Sequence, residues 1–164
     1  MLRKVTLLAA ALLLVGGPAL ANSKAEEPMA VAFSFEGPFG RFDQAQLQRG
    51  YKVYREVCSA CHSMNLVAFR NLGDPGGPFF DPKYPNANDN PVVKALAADI
   101  QVPDIDGETG DPITRPAIPA DRFPSPFPNV IAAKASNGGL APPDLSLMAK
   151  AREGGPEYIA SLLQ

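Results

Sequence analysis

Five consecutive residues, Cys58-Ser59-Ala60-Cys61-His62, form the pattern Cys-x-x-Cys-His. On a helical turn, side chains three residues apart project to the same side, so both thiols can add to the two vinyl groups along one edge of a porphyrin. The next residue then presents its imidazole to the iron. The pattern is the attachment signature of a c-type haem. It predicts one covalent haem c bound through Cys58 and Cys61, with His62 as an axial iron ligand.

The motif is also compatible with four alternatives. A structural zinc site needs about four Cys, His or carboxylate ligands, whereas His62 is the only histidine of the chain. A thioredoxin-like redox pair is expected in a βαβ setting, which the surrounding helical pattern does not provide. A disulfide, as in many exported proteins, or a chance occurrence in an unrelated fold are the remaining alternatives.

The residues before the motif have helical spacing. Asp43 is a suitable N-cap, and the pattern predicts a helix from Gln44 to roughly Cys61. Its apolar and sulfur-bearing side chains recur at steps of four and three, which is one face of a helix: Leu47, Tyr51, Tyr54, Cys58 and Cys61. Both thiols are therefore expected on the same side as two aromatic rings.

Most of the 18 prolines lie between Gly73 and Pro128. Proline lacks an N–H and fixes φ, which excludes long helices and central strands there. One short helix is expected from Val92 to about Asp99, with Asn90 as cap and Pro91 at its start. The rest is predicted to be an ordered loop that wraps over a core through apolar anchors: Phe79, Phe80, Ile105, Ile113, Ile118, Phe123 and Phe127.

Three short helices are predicted near the C-terminus. They run from Asn129 to about Ser136, from Pro143 to about Arg152 and from Pro156 to Leu163, and Asn137-Gly138-Gly139 ends the first. No segment alternates strongly enough to predict a sheet. The predicted fold class is therefore mostly α with long proline-rich loops.

The first 21 residues have the pattern of a secretory signal peptide. Arg3 and Lys4 precede an apolar run at 5–15, and Ala19-Leu20-Ala21 matches a cleavage site. The run is shorter than the roughly 20 residues that span a bilayer, although an uncleaved anchor or buried helix is the alternative. The expected domains are a signal peptide at 1–21 and a haem domain at 22–164.

Gly50 and Tyr54 lie eight and four residues before Cys58. This arrangement is similar to the N-terminal helix of class I cytochromes c, in which the glycine lets a C-terminal helix approach closely. The resemblance implies a class I cytochrome c-like fold. It also gives a reason for a mid-helix glycine, which otherwise costs about 1 kcal/mol, although a tolerated surface glycine is the alternative.

A narrower resemblance covers essentially all residues after the predicted signal peptide. The chain resembles cytochrome c1 in its alphaproteobacterial form, the haem subunit of ubiquinol–cytochrome c oxidoreductase (the cytochrome bc1 complex). The most specific segment is Asn137-Gly138-Gly139-Leu140-Ala141-Pro142-Pro143-Asp144-Leu145-Ser146. Further matches are 42–43, 46–50, 58–64, 69–70, 115–116, 123–129, 155–159 and 161–163.

The resemblance implies an electron-carrier subunit that is not an enzyme by itself. It would take one electron from the Rieske iron–sulfur protein and pass it to a cytochrome c, next to cytochrome b on the periplasmic side of the bacterial inner membrane. Arg115 matches the family arginine that pairs with a haem propionate, with a solvated loop arginine as the alternative. Asn137 would lie near the haem edge.

In the family, a methionine ligand, a helix on the Gly50 face and a membrane anchor lie further along the chain than Gln164. We therefore expect a partial haem domain, incomplete at the C-terminus and without its native sixth ligand. Met148 is the one geometric candidate within these residues, although core packing accounts for it more simply. A soluble periplasmic class I cytochrome c acting as a mobile carrier is the main rival, and it would need such a ligand.

Two further rivals belong to other classes. A peroxidase-like enzyme would need a distal acid–base group near the iron, and the only histidine is already used. A non-haem interaction module would contain the motif by chance.

Without Arg3 and Lys4 of the predicted signal peptide, 13 of the 15 Lys+Arg stand against 17 Asp+Glu. The sequence contains no basic stripe, so no nucleic-acid partner is expected. An acidic surface would suit a basic protein partner. One group of acidic side chains is a candidate docking site for a basic cytochrome c, with a solvated loop as the alternative: Asp104, Asp106, Glu108 and Asp111.

Overall fold

The computed structural model describes residues 27–164, so the predicted signal peptide lies outside the described residues. The helices are α1 (Gln44–Glu56), α2 (Pro91–Ala98), α3 (Val130–Ser136), α4 (Met148–Ala151) and α5 (Gly155–Leu162). The strands are β1 (Gln101–Ile105) and β2 (Pro112–Pro116), and short 3₁₀ turns occupy Cys58–Ala60, Phe69–Gly73 and Ala87–Asp89. The structure thus has mostly helices and one small sheet. None of the helices within 27–164 has the length and apolar character needed to cross a membrane.

Polar N-caps start three of these helices. The sequence predicts two of them, Asp43 and Asn90, whereas Asn129 was expected as the first helical residue and is instead the N-cap of α3. The side chains of Asp43, Asn90 and Asn129 each accept a hydrogen bond of 2.9 Å from a backbone N–H in the first turn of α1, α2 and α3. Such a cap satisfies a donor that has no partner inside the helix and contributes about 1 kcal/mol. Asn90 is also buried and donates to the Phe79 carbonyl oxygen at 2.8 Å, which ties the proline-rich loop to α2.

Helix α1 ends at Glu56, earlier than the predicted end near Cys61. The Ser59 hydroxyl donates to the Arg55 carbonyl oxygen at 2.7 Å. A serine that bonds a helix carbonyl competes with the regular backbone ladder, and here the chain tightens into the 3₁₀ turn Cys58–Ala60. The motif therefore lies just beyond the helix.

The core is built under the proline-rich loop by the residues Phe69, Leu72, Val93, Ala97, Val102, Ala117 and Phe123. The Phe123 ring lies 4.5 Å from the Phe69 ring and meets Tyr54 edge-on at 5.8 Å, between ring centroids. Tyr51 and Tyr54 pack on this core, as expected for the apolar face of α1.

Among the predicted anchors, Phe79 packs against the core and Phe123 is buried within it. Ile105, Ile113 and Ile118 are exposed, so their prediction as anchors was wrong. The first two belong to β1 and β2, whose side chains are mostly exposed.

The antiparallel pair β1–β2 corrects the expectation that the chain forms no sheet. Val102 lies opposite Arg115, and Pro103 opposite Thr114. Both strands of a two-stranded ribbon are edge strands, in which proline is tolerated. The exclusion of central strands is compatible with this ribbon, but strands this short and exposed leave little alternation to detect.

The C-terminal helices were predicted with mixed success. Gly138 and Gly139 both have positive φ and end α3 as expected, and α5 lies within one residue of its predicted bounds. The helix expected from Pro143 is wrong over its first part, because only Met148–Ala151 is helical. The residues before Met148 instead bond to the segment that follows the Cys-x-x-Cys turn.

Gly50 faces open space among the described residues. Nothing lies within 4 Å of the position that a side-chain carbon would occupy there. The close approach of another helix at this glycine stays a prediction.

The segment before α1 is hydrogen-bonded to α5. Met29 donates its N–H to the Ser161 hydroxyl at 2.7 Å, and Val31 donates its N–H to the Glu157 carboxylate at 3.4 Å. The Ser161 hydroxyl in turn donates to the Glu157 carbonyl oxygen at 2.8 Å. Hydrogen bonds therefore connect the first described residues of the chain to its last helix.

We expect Ser161→Ala to lower the free energy of unfolding by about 1 kcal/mol, because Met29 loses its hydrogen-bond acceptor. Chemical denaturation of the haem-loaded protein measures this. Ser136→Ala is the matched control, since it makes the same replacement at an exposed position of α3. Equal effects of the two substitutions would contradict the role of this contact.

Candidate functional site

The structure brings the two cysteines and the histidine of the motif into one turn. Cys58 and Cys61 are both free thiols, so the disulfide alternative is not formed. The Cys58 carbonyl oxygen accepts the N–H of Cys61 at 3.1 Å and that of His62 at 2.8 Å. Cys58 is partly buried and Cys61 is exposed, which leaves at least one sulfur open to a reacting group.

His62 has a defined proton position. Its Nδ1 lies 2.8 Å from the carbonyl oxygen of Pro143. A carbonyl oxygen can only accept, so this contact requires a proton on Nδ1 and makes Nε2 the nitrogen available to a metal. A neutral imidazole with a free Nε2 and a carbonyl on Nδ1–H is the arrangement of a metal-binding histidine.

Two segments pair to create this contact. We call residues 62–66 the histidine segment and residues 143–146 the proline segment. Leu145 donates its N–H to the Ser63 carbonyl oxygen at 2.8 Å, and Leu66 donates its N–H to the Ser146 hydroxyl at 3.0 Å. The sequence singles out the proline segment only through a family resemblance, and no local signal predicts its contact with the histidine.

Asp144 is the acidic member of the proline segment. Its Oδ2 accepts from the Ser63 hydroxyl and from the Asn65 N–H, both at 2.8 Å, and its Oδ1 accepts from the Ser146 N–H at 2.8 Å. Burial acts to raise the pKa of Asp144, but the hydrogen bonds from Ser146, Asn65 and Ser63 outweigh it and lower this pKa to about 2.

Tyr54 approaches the same region from α1. Its hydroxyl donates to the His62 carbonyl oxygen at 3.3 Å. Burial and, after it, the negative charge of Asp144 raise the pKa of Tyr54 to about 12. The phenol therefore stays neutral and acts as a donor at ordinary pH.

A cavity of about 320 Å³ lies next to Cys61. Much of its wall comes from the apolar stretch Pro126-Phe127-Pro128 and from Val130 and Ala133 of α3. A second cavity of about 370 Å³ shares Ser125, Phe127 and Pro128 with the first. The volume beside Cys61 lies at the lower end of the range for ligand sites, and the polar residues Ser63, Asn65 and Asp144 also line this cavity.

Arg115, predicted to bind a haem propionate, is paired within the protein. Its Nε donates to the Asp104 carboxylate, while Nη1 and Nη2 donate to Asp121 at 2.6 and 3.1 Å. These contacts, with Asp121 first, raise the pKa of Arg115, and the Arg115 guanidinium lowers the pKa of both carboxyl groups. Nη1 also donates to the Pro116 carbonyl oxygen at 3.1 Å, so most N–H donors of Arg115 already have partners and its propionate role stays a prediction.

Asn137, the second predicted haem contact, forms the C-cap of α3. Its side-chain amide donates to the Ala133 carbonyl oxygen at 2.7 Å. Ala133 lines the cavity beside Cys61, and Asn137 is not among the described residues that line it. Its position near a haem edge stays a prediction.

Met148, the candidate sixth ligand, begins α4 and donates its N–H to the Leu145 carbonyl oxygen at 3.2 Å. It is not among the described residues that line the cavity beside Cys61. The Met148 side chain is therefore not part of the described wall of this cavity.

The predicted acidic docking group divides into two pairs. Asp104 is bound to Arg115, and the Asp106 carboxylate accepts the N–H groups of Glu108 and Thr109 at 2.8 and 3.1 Å. These two carboxylates shape the hairpin between β1 and β2. Glu108 and Asp111 make no such side-chain contacts within the described part of the chain, and the role of this group as a docking site stays a prediction.

Comparison with known proteins decides the family. The family model described as the Cytochrome C1 family matches residues 33–164. The chain belongs to the cytochrome c1 family. The resemblance drawn from the sequence is thereby confirmed.

Relatives within the cytochrome c1 family come from bacteria and mitochondria. "Cytochrome c1" of Rhodospirillum rubrum is 49% identical over 162 residues, which cover 98% of this chain and 56% of that protein. "Cytochrome b/c1" of Bradyrhizobium diazoefficiens is 43% identical over 180 residues, covering 98% of this chain and 25% of that protein. "Cytochrome c1, heme protein, mitochondrial" of Saccharomyces cerevisiae is 46% identical over 134 residues, covering 82% and 40%. The chain thus spans between 25% and 56% of the length of these curated relatives.

The depressed pKa of Asp144 predicts a pH dependence of stability. Its folded-state pKa of about 2 lies below its ordinary value of 3.8, so the ionised carboxylate favours the folded state. This contribution is complete well above the ordinary value and is lost as pH falls from there towards 2. We expect Asp144→Asn to flatten the free energy of unfolding across this window, as measured by urea denaturation. Glu153→Gln, at an exposed position, is the control, and parallel pH profiles for the wild type and Asp144→Asn would contradict the assignment.

The Arg115–Asp121 pair predicts strong coupling. Arg115→Lys and Asp121→Asn should each lower the melting temperature, because each breaks the bidentate contact. The double variant should be little worse than the poorer single variant, since neighbours that share one contact are not additive. Additive losses in this double-mutant cycle would show that the pair contributes nothing as a unit.

Proposed function

We propose that this chain carries a covalent haem c bound through Cys58 and Cys61, with His62 as an axial ligand, and acts as the electron-carrying part of a cytochrome c1. The observation that carries the proposal is the contact between His62 Nδ1 and the Pro143 carbonyl oxygen. It leaves Nε2 of the imidazole available in the same turn that contains two free thiols.

The residues fit the group they are proposed to hold. Two thiols three residues apart and one adjacent imidazole are the donor set of covalent haem attachment. When bound, haem c supplies a one-electron redox couple at its iron. The chain's own contribution is to orient the imidazole and to raise the basicity of the ligand through Pro143, while Pro126, Phe127 and Pro128 supply apolar surface beside Cys61.

Arg115 and Asn137 are proposed as further cofactor contacts on the family resemblance alone. A contact between Arg115 and a propionate would be visible as a change in reduction potential for Arg115→Lys that exceeds the change for Asp121→Asn.

The proposed role is electron transfer within a bc1 complex, from a Rieske iron–sulfur protein to a cytochrome c. The proposed location is the periplasmic side of a bacterial inner membrane, beside cytochrome b and after export by the leader at 1–21. The names "Cytochrome b/c1" and "Cytochrome b-c1 complex catalytic subunit, mitochondrial" among the relatives support the assembly. The helix that carries Gly50 and Tyr54 before the motif supports a class I cytochrome c-like fold.

Covalent haem attachment is the first test. Expressed in a periplasm with haem-attachment machinery, the wild type should retain haem after denaturation, and Cys58→Ser with Cys61→Ser should not. Ser136→Ala is the control, because it changes an exposed residue of α3 and removes no proposed attachment residue. A wild type that loses all haem on denaturation would refute the proposal.

The reduced spectrum with carbon monoxide then separates cytochrome c1 from a mobile carrier. Carbon monoxide binding would favour a chain without a sixth ligand of its own. A low-spin haem that ignores carbon monoxide, and becomes reactive in Met148→Leu, would favour the soluble carrier.

A further inference from the structure

We propose that Asp144 is a positioning residue for His62, holding the proline segment against the histidine segment so that the Pro143 carbonyl stays on Nδ1. The inference rests on the proposed function, because it concerns an imidazole that is taken to be an axial ligand. It assigns a role to a carboxylate outside the Cys-x-x-Cys-His motif.

The two oxygens of Asp144 perform separate tasks. Oδ2 accepts from the Ser63 hydroxyl and the Asn65 N–H, which belong to the residues directly after His62. Oδ1 accepts from the Ser146 N–H and shapes the turn to which Asp144 itself belongs. One side chain thus fixes both the partner segment and its own backbone.

The Asp144 contacts affect His62 through the covalent chain. The Pro143 carbonyl is the peptide group that joins Pro143 to Asp144, so holding the Asp144 side chain and its following turn restricts where that oxygen points. The Leu145 N–H bond to the Ser63 carbonyl oxygen lies on the other side of Asp144. Asp144 and its direct neighbour Leu145 thus supply three of the hydrogen bonds between the two segments, and Ser146 adds a fourth, in which its hydroxyl accepts the Leu66 N–H.

An ionised carboxylate suits this position better than a neutral side chain. It only accepts hydrogen bonds, and bonds to a charged acceptor are stronger than neutral ones. The three donors around Asp144 each lie 2.8 Å from one of its oxygens. Without the carboxylate, the Ser63 hydroxyl and the Asn65 N–H would lose their acceptor.

The consequence for the histidine is electronic as well as geometric. A carbonyl on Nδ1–H makes the imidazole a stronger electron donor through Nε2, which favours the oxidised form of a bound redox centre. Loss of Asp144 should therefore expose Nδ1–H to water and raise the reduction potential.

The test compares four variants of the haem-loaded protein: Asp144→Ala, Asp144→Asn, Ser63→Ala and Asp106→Ala. The last is the matched control, because Asp106 also accepts backbone N–H groups of its own turn, but that turn belongs to the β1–β2 hairpin. Two quantities are measured, the exchange rate of the His62 Nδ1 proton by NMR and the reduction potential.

We expect Asp144→Ala to accelerate Nδ1 proton exchange roughly tenfold, the factor that corresponds to about one net hydrogen bond, and to raise the potential. Asp144→Asn should give a smaller change, because its amide oxygen still accepts. Ser63→Ala should also give a smaller change, since it leaves the Asn65 contact in place. Asp106→Ala should leave both quantities unchanged.

Equal exchange rates and potentials in Asp144→Ala and Asp106→Ala would overturn the inference. If Asp144→Ala does not accumulate with haem, Asp144→Asn and Ser63→Ala decide the test. Faster Nδ1 proton exchange than in the wild type supports the role of Asp144. Exchange at the wild-type rate in both variants overturns it. A failure of the proposed function is distinguishable, because the wild type itself would then lack a haem-bound His62.

Discussion

The hydrogen bond between His62 Nδ1 and the Pro143 carbonyl oxygen is the constraint on which the site depends. It joins residues 81 positions apart, so the chain between them must be ordered before the bond can form, at an entropic cost that grows with loop length. The core around Phe69 and Phe123 supplies that order through hydrophobic burial. The bond in turn fixes the imidazole tautomer and leaves Nε2 for a metal. This one contact therefore links the long-range folding of the chain to the availability of the His62 imidazole for a metal.

The same contact accounts for the non-helical conformation of the proline segment. A helix beginning at Pro143 would direct the carbonyl of that residue along its own axis, and here the carbonyl is used by His62 instead. The N–H of Leu145 likewise bonds Ser63 rather than a preceding turn. Helical structure begins only at Met148, after the last residue of the proline segment that bonds to the histidine segment. Long-range pairing has overridden a local helical pattern, which single-sequence propensities cannot anticipate.

Structural features that depend only on neighbouring residues were predicted well from the local sequence. The N-caps Asp43 and Asn90 and the glycine stop after α3 were predicted, because each satisfies donors or backbone angles within a few residues. The family was predictable from its motifs. The β1–β2 ribbon was not, since its strands bury little beyond Val102. The carboxylate partners of Arg115 were missed for a related reason, because Asp104 becomes its neighbour only through the register of that ribbon.

The proton position on His62 is the most direct test of the central contact. Because the chain contains one histidine, ¹⁵N NMR of histidine-labelled protein reports on this ring without further assignment, and the reduced carbon monoxide form of the haem-loaded protein is diamagnetic. We predict a protonated Nδ1 whose hydrogen exchanges slowly with water. An unprotonated Nδ1, or a proton that exchanges as in free histidine, would contradict the contact with Pro143 and the orientation of the ligand that follows from it.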